Sequence, residues 1–311
     1  MGRFETGSNE RNLLMLSMRF EGIFPPIPTP FVNGEVAHEA LASNIAKWSK
    51  TGIRGIVVLG SNGETVYLSE AEKRKVIEIS VAASPQEMLI IAGTGCESTR
   101  ETIRLTNDCA QLGAHAALVL TPHYFAGEMS AEALIRYYTD VADAADIPIL
   151  LYSVPKFTHL GIESGIVSEL SKHPNIAGIK DSSGNVNLLG EIVNAVDKDF
   201  DVLVGAAGVL FAGLCLGCTG GVLALANVAP QESVAICDSV KKGNFDEARE
   251  LQLKMIPVNK AVTATYGVSG LKAALDMLGY FGGDPRLPLL AVTEKEKQTL
   301  RAILEKAELL D

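Results

Sequence analysis

Asn175-Ile176-Ala177-Gly178-Ile179-Lys180-Asp181-Ser182-Ser183-Gly184 is a short apolar run that ends on one cation and breaks into a polar, glycine-closed turn. An apolar run of this length, β-branched and bounded by a turn, reads as a strand covered on both faces. The same grammar recurs outward in both directions. Strands are expected at residues 23–28, 55–59, 89–93, 116–121, 149–152, 176–180, 202–205 and 221–225. Helical stretches lie between them. Ser69 to Glu72 and Ser98 to Glu101 match the capping box, in which the serine caps the third amide and the glutamate reaches back. Leu41, Ile45 and Trp48 fall at helical spacing, as do Val76, Ile77 and Val81. Gly52 and Gly113 stand where a helix would end in the left-handed conformation.

Eight strands in strict alternation with helices predict an α/β protein, a (β/α)8 TIM barrel with a C-terminal helical appendage. An open, doubly wound sheet would show the same alternation, since strand order is not written in one sequence. After residue 243 the strand signals stop. Residues 246–255, 270–278 and 294–309 read as helices, punctuated by Asp284-Pro285-Arg286-Leu287-Pro288. The expected organisation is therefore an N-terminal extension or tag at 1–20, a barrel at 21–243 and a helical region at 244–311. Met18 is an alternative start.

Bulk properties narrow the function classes. The chain has 311 residues, 47% of them hydrophobic and 21% charged, as expected of a folded globular protein. Acidic residues outnumber basic ones by 37 to 27, for a net charge of −10, and no Lys/Arg-rich block occurs. Nucleic acid and membrane surfaces are therefore not expected partners. No apolar run approaches the roughly 20 residues of a membrane span. The first 20 residues carry Glu5 and Glu10 and no small-residue cleavage site, which argues against a leader. The five cysteines are odd in number, so a reducing compartment is expected: cytoplasmic, or the mitochondrial matrix if the source is eukaryotic. Cys215 and Cys218 form a lone C-x-x-C, read as two small residues of an apolar helix rather than half a zinc site.

In a parallel barrel the chemistry stands at the C-terminal ends of the strands. Lys180 is the sharpest such feature. An amine held at the end of an apolar strand is partly desolvated, and a neutral amine can attack a carbonyl to form a Schiff base. The resulting iminium withdraws electrons from the neighbouring carbon, so a C–C bond there can form or break without a metal. Tyr152 ends the preceding strand and could relay a proton. Gly60-Ser61-Asn62-Gly63-Glu64 is a glycine-bracketed turn whose amides and side chains suit a small carboxylate. Glu64 is read there as a structural hydrogen-bond partner. Gly205 and Gly208 would permit close backbone approach to a ligand. The histidines His38, His115, His123, His159 and His173 are scattered, and no H-E-x-x-H occurs, so neither a metal nor any other cofactor is expected. Gly93-Thr94-Gly95-Cys96-Glu97-Ser98 lacks the third glycine of a dinucleotide fingerprint.

From about Gly22 onward the chain resembles the dihydrodipicolinate synthase / N-acetylneuraminate lyase family. The resemblance rests on the turn at Gly60–Glu64, on Tyr152-x-x-Pro155 and on Gly178-Ile179-Lys180-Asp181-Ser182, each at a different strand end. It implies a Schiff-base (class I) lyase acting on a 2-oxo acid such as pyruvate, usually a homotetramer built as a dimer of dimers. By position, Lys180 matches the Schiff-base lysine, Tyr152 the relay tyrosine and Ser61 the relay hydroxyl. Ser61 and Asn62 match the carboxylate-binding turn. Tyr124 matches a tyrosine that crosses a dimer interface into the neighbouring site. Dihydrodipicolinate synthases carry an arginine two residues after the Tyr-x-x-Pro proline, and Phe157 stands there instead, so a bidentate carboxylate clamp is lost. Ser61-Asn62, Tyr152-Ser153-Val154-Pro155 and Ala224-Leu225-Ala226-Asn227-Val228 look nearest to the 4-hydroxy-2-oxoglutarate aldolases, which yield pyruvate and glyoxylate. Ser153 then becomes a candidate donor to the distal part of the substrate. A 2-keto-3-deoxy sugar acid aldolase, a dihydrodipicolinate synthase and a non-enzymatic 2-oxo acid sensor are the competing expectations.

Overall fold

The computed structural model describes residues 18–310. Eight parallel strands run β1 (Gly22–Phe24), β2 (Gly55–Val58), β3 (Leu89–Gly93), β4 (Ala116–Leu120), β5 (Ile149–Ser153), β6 (Ile176–Asp181), β7 (Asp201–Val204) and β8 (Gly220–Val222). Along the sheet each of β2 to β8 pairs with its sequence neighbour, and β1 pairs with β8. The ring meets at β1 and β2, where a parallel bridge joins Pro26 to Val57. The Ile27 N–H donates to the Val57 carbonyl and the Val57 N–H to the Pro25 carbonyl, both at 2.9 Å. This is the TIM barrel expected from the alternation.

Helices follow the strands as α1 (His38–Trp48), α2 (Glu70–Ala83), α3 (Thr99–Gln111), α4 (Ala131–Ala144), α5 (Ser164–Leu170), α6 (Val186–Ala195), α7 (Leu210–Leu216) and α8 (Pro230–Lys241). Ser69 and Glu72 form the complete capping box of α2. At α3 only half of the box forms. Ser98 accepts from the Glu101 amide, while the Glu101 carboxylate is drawn instead to Arg104 at 2.8 Å. Gly52 and Gly113 have φ of +82° and +102°, as a helix end in the left-handed conformation requires.

The apolar side chains divide into two clusters. Phe20, Phe24, Val57, Leu89, Ile91, Leu118, Leu150, Tyr152 and Leu203 fill the ring. Ile56, Ile90, Val119, Ile149, Leu151, Ile179, Val202 and Val204 face the helices instead. Alternation along each strand thus assigns its residues to the interior or to the helix layer.

Phe20 is fully buried in the ring, and its N–H donates to Asp201 Oδ2 at 2.6 Å. Arg19 pairs with the other oxygen of Asp201 at 2.9 Å. Arg19 and Phe20 thus pack against the barrel at Asp201, just ahead of the expected boundary at residue 21. The rest of the expected extension, residues 1–17, lies outside the described residues.

The C-terminal region contributes α9 (Phe245–Lys260), α10 (Gly267–Met277) and α11 (Glu294–Lys306). Cys215 is exposed and Cys218 is buried, and neither is bonded. Burial first, and then the nearby Asp181 charge, push the Cys218 thiol up to about 12, so it stays protonated and unreactive. No helix among the described residues is long and apolar enough to cross a membrane.

Candidate active site

The strand ladder brings the two principal candidates together. Tyr152 on β5 is the register partner of Lys180 on β6. Both are nearly buried, at 6% and 5% exposure. The Lys180 amine lies 4.0 Å from the centre of the Tyr152 ring, over its π face. A ring in that place excludes water from one side of the amine while its quadrupole attracts the cation. The Tyr152 hydroxyl lies 3.4 Å from Ser61 Oγ, so the turn after β2 and the strands β5 and β6 each supply one member of a Lys–Tyr–Ser line.

Ser61 stands in a strained turn. Leu59, where the chain leaves β2, has φ of +60°, and Glu64, where the turn closes, has φ of +55°. Neither residue favours the left-handed region, so the surroundings must hold them there. Residues Ser61–Gly63 form one 3-10 turn between them. Thr29 Oγ1 donates to the Gly63 carbonyl at 2.7 Å from beneath. Asn62 follows Ser61 in the same half-buried turn. Glu64 is buried and makes the structural contacts expected of it, accepting the Arg286 N–H at 2.8 Å and pairing with Lys272 at 2.5 Å.

The end of β6 is fixed by a chain of side-chain hydrogen bonds. Asp181 Oδ2 accepts from the Ser183 N–H at 3.1 Å and from its hydroxyl at 2.5 Å. Ser183 Oγ accepts the Asn185 N–H at 3.1 Å, and Asn185 caps α6. The Asp-Ser-Ser-Gly-Asn run thus ties the strand that carries Lys180 to the helix after it. Burial raises the Asp181 carboxyl above its ordinary range, opposed by the hydroxyls of Ser183 and Ser153.

This geometry changes the reading of Ser153. Ser153 is the register partner of Asp181, one step beyond the Tyr152–Lys180 pair. Leu151 and Ile179, two residues earlier on the same faces, belong to the helix layer. Ser153 is wholly buried beside Asp181 and so faces away from the barrel mouth. The expected contact to substrate is corrected: its alternation is opposite to that of Tyr152. Ser182, absent from the expected site, shares the face of Lys180 two residues earlier.

Gly205 is needed for a different reason from the one anticipated. A Cβ there would meet Ser182 Oγ at 2.0 Å and the Asp181 carbonyl at 2.8 Å. The room left by its bare backbone is filled by β6, not kept open for a ligand. Tyr124 is not brought to Ser61 or Tyr152. It is 78% exposed and stands edge-on to Phe125, with ring centres 5.0 Å apart. Glu97 holds its loop, accepting the N–H groups of His123 and Tyr124 at 2.9 Å each. Phe157, at the position expected to carry an arginine, is exposed, and its neighbour Lys156 donates to the Thr263 carbonyl at 3.2 Å.

The sequence profile of the Dihydrodipicolinate synthetase family matches residues 19–307. The chain belongs to this family. A 4-hydroxy-tetrahydrodipicolinate synthase of Methanothrix thermoacetophila is 38% identical over 289 residues, 92% of this chain and 97% of the relative. Among solved structures, the dihydrodipicolinate synthase of Thermotoga maritima superposes with a TM-score of 0.90 at 29% identity, over 94% of this chain and 100% of its own. The chloride-inhibited dihydrodipicolinate synthase of Acinetobacter baumannii, solved in complex with pyruvate, gives a TM-score of 0.90 at 30% identity, over 94% and 100% of the two chains. The protein is accordingly a pyruvate-dependent lyase of the class I, metal-independent type. These relatives carry the synthase name, not that of the 4-hydroxy-2-oxoglutarate aldolases to which the motifs looked nearest.

Proposed function

We propose that the chain joins pyruvate to an aldehyde, or cleaves the corresponding adduct, through a Schiff base on Lys180. One observation carries this reading: the buried amine over the Tyr152 ring, with the Tyr152 hydroxyl within reach of Ser61 Oγ. The Lys180 amine gives up a proton and attacks the keto carbon, and the carbinolamine loses its hydroxyl as water with a proton relayed by Tyr152. Loss of a proton from the pyruvyl methyl gives an enamine, whose carbon attacks the aldehyde. Hydrolysis then returns the free lysine. The turn at Ser61 and Asn62 receives the pyruvate carboxylate on amides and side-chain donors. Tyr124, projecting from its loop, would reach a neighbouring copy, consistent with the oligomer expected of the family.

Two acceptors divide the finer reading. The names of the relatives support aspartate semialdehyde, which would make the chain a 4-hydroxy-tetrahydrodipicolinate synthase. Phe157 supports a second reading, cleavage of 4-hydroxy-2-oxoglutarate to pyruvate and glyoxylate, because no guanidinium stands there to clamp a further carboxylate. Borohydride with pyruvate is expected to add one reduced pyruvyl mass at Lys180, and none in Lys180→Met. An unmodified wild-type lysine would remove the Schiff base and leave a 2-oxo acid sensor. Steady-state kcat/KM across aspartate semialdehyde, glyoxylate and sugar aldehydes then ranks the acceptors. Dominant turnover of aspartate semialdehyde would sink the weight placed on Phe157.

A further inference from the structure

The turn that carries Ser61 and Asn62 is held from outside the barrel. Glu64, which closes that turn, is buried and in the left-handed region. Its partner is Lys272 of α10, the largest fully buried charged side chain among the described residues. The Lys272 amine sits 2.5 Å from Glu64 Oε1, donates to the Asp284 carbonyl at 3.1 Å and lies 4.3 Å from the centre of the Phe31 ring. Gly282 lets the segment that leads to Asp284 and Arg286 pack against the backbone of α10, since a Cβ there would fall 1.9 Å from the Lys272 carbonyl.

Arg286 completes the arrangement. Its backbone N–H donates to the second oxygen of Glu64 at 2.8 Å. Its guanidinium stacks on Phe31 at 4.4 Å, donates to the Tyr67 carbonyl at 2.7 Å and pairs with Glu72 at 2.5 Å. The segment from Glu64 to Glu72 is therefore gripped at both ends by one short stretch of the C-terminal region. A carboxylate and an ammonium brought into an apolar interior would be a poor choice for stability alone, because hydrophobic residues of the same volume often serve as well or better. What the ion pair does provide is a fixed position for the backbone on which it ends.

We propose that Lys272, Glu64 and Arg286 are positioning residues for the Ser61–Asn62 turn, so that the C-terminal helical region sets the geometry in which Tyr152 and the pyruvate carboxylate are met. The proposal rests on the Lys180–Tyr152–Ser61 reading of the active site. None of the three touches the reacting atoms. They act through the turn, by holding Glu64 where Ser61 Oγ comes within reach of Tyr152.

The test compares wild type, Lys272→Met, the double variant Lys272→Met/Glu64→Gln, and Arg286→Met. Borohydride trapping with pyruvate is run first on wild type; failure there removes the Schiff-base reading itself, a result distinct from any difference among the variants. Rates are then expressed per Lys180 trapped, which leaves unfolded molecules out of the comparison. Lys272→Met strands the Glu64 charge, so its thermal midpoint falls. The double variant removes that stranded charge and recovers much of the midpoint. Its kcat/KM for pyruvate nevertheless stays at least about tenfold below wild type, carried by both a higher KM and a lower kcat. Arg286→Met keeps the backbone N–H to Glu64 and removes only the side-chain grip on the Tyr67 carbonyl and Glu72, at the far end of the same segment, and shows the same split. If the double variant and Arg286→Met both return wild-type kcat and KM per trapped lysine, the network is structural only and the proposal is overturned.

Discussion

Replacing Gly205 by alanine tests the join between fold and site. A Cβ at Gly205 would lie 2.0 Å from Ser182 Oγ, 2.8 Å from the Asp181 carbonyl oxygen and 2.9 Å from Ser182 Cβ. Rotation of the serine relieves only the first contact. The carbonyl cannot rotate, because it accepts the Gly205 N–H at 2.6 Å as part of the ladder. Ordinary contact begins at 3.4 Å, so the β6 backbone must yield by the difference from 2.8 Å, about 0.6 Å. That displacement is applied one residue from Lys180, whose amine is registered over Tyr152. Since a misplacement of about 1 Å can cost about a hundredfold in rate, about 0.6 Å predicts a loss of order tenfold in kcat. Overpacking of this kind also costs about 1–3 kcal/mol of stability, a fall of several degrees in Tm. Gly208→Ala is the control, because the nearest atom to a Cβ there is Asn259 Nδ2 at 3.7 Å. The assay is kcat per borohydride-trapped site, with calorimetry alongside. A Gly205→Ala enzyme within about twofold of wild type, or as well behaved as Gly208→Ala, would refute the claim that this glycine sets the position of the lysine strand.

Tyr152→Phe keeps the ring beneath Lys180 and removes only the hydroxyl; pyruvate should still be trapped by borohydride, while turnover falls by about 10²–10⁴-fold. A variant with unchanged turnover would take the proton relay away from Tyr152. Glu72 offers a pH test, since the Arg286 guanidinium hydrogen-bonded to it lowers its carboxyl from 4.5 to about 2. The folded value lies below the unfolded one, so the pair stabilises the fold fully above about pH 4.5, and that contribution fades as pH falls toward 2. The stability deficit of Arg286→Met, read by urea unfolding at stepped pH, should therefore be constant above about pH 5 and shrink below it. A deficit that did not change between pH 5 and pH 3 would show that stacking on Phe31, and not the ion pair, carries the effect.

The barrel was legible because parallel strands covered on both faces are written as unbroken apolar runs, and those runs lie far enough apart to hold helices. The expected strand at 149–152 is observed as Ile149–Ser153, and that at 176–180 as Ile176–Asp181. The same property hid the facing of Ser153. A continuously apolar strand has no polar alternation to say which residues point inward, so Ser153 could be assigned to the mouth as easily as Tyr152. Once Tyr152 and Lys180 are known to be register partners on the interior face, Ser153 and Asp181 must both face the helices. Phe20 was missed for another reason. It is a single aromatic ahead of the first strand, with no periodicity to place it inside the ring. The Glu64–Lys272 pair was invisible because its members lie in different halves of the chain. The sequence shows a glutamate closing a turn and a lysine in a helix, and nothing in either neighbourhood points to the other.

The contrast between the relatives' name and Phe157 has a physical resolution in where each kind of information resides. On the proposed mechanism, donor chemistry rests on Lys180, Tyr152 and Ser61 at three strand ends, a constellation the whole barrel must support. It therefore travels with the fold and with nearly full-length similarity. Acceptor choice can rest on a single side chain at the mouth. A guanidinium clamp makes two charge-assisted hydrogen bonds, each worth about 1.5–3 kcal/mol, so its loss costs about 3–6 kcal/mol, or about 10²–10⁴ in discrimination for an acceptor with a second carboxylate. Lys156 is the cation beside that position, but its amine is engaged with the Thr263 carbonyl and lies 5.4 Å from the centre of the Phe157 ring. A point charge on a flexible stem does not reproduce a planar fork. On the proposed mechanism, family membership leaves the acceptor open at residue 157, and the ratio of kcat/KM for aspartate semialdehyde to that for glyoxylate decides whether one aromatic ring there redirects the enamine.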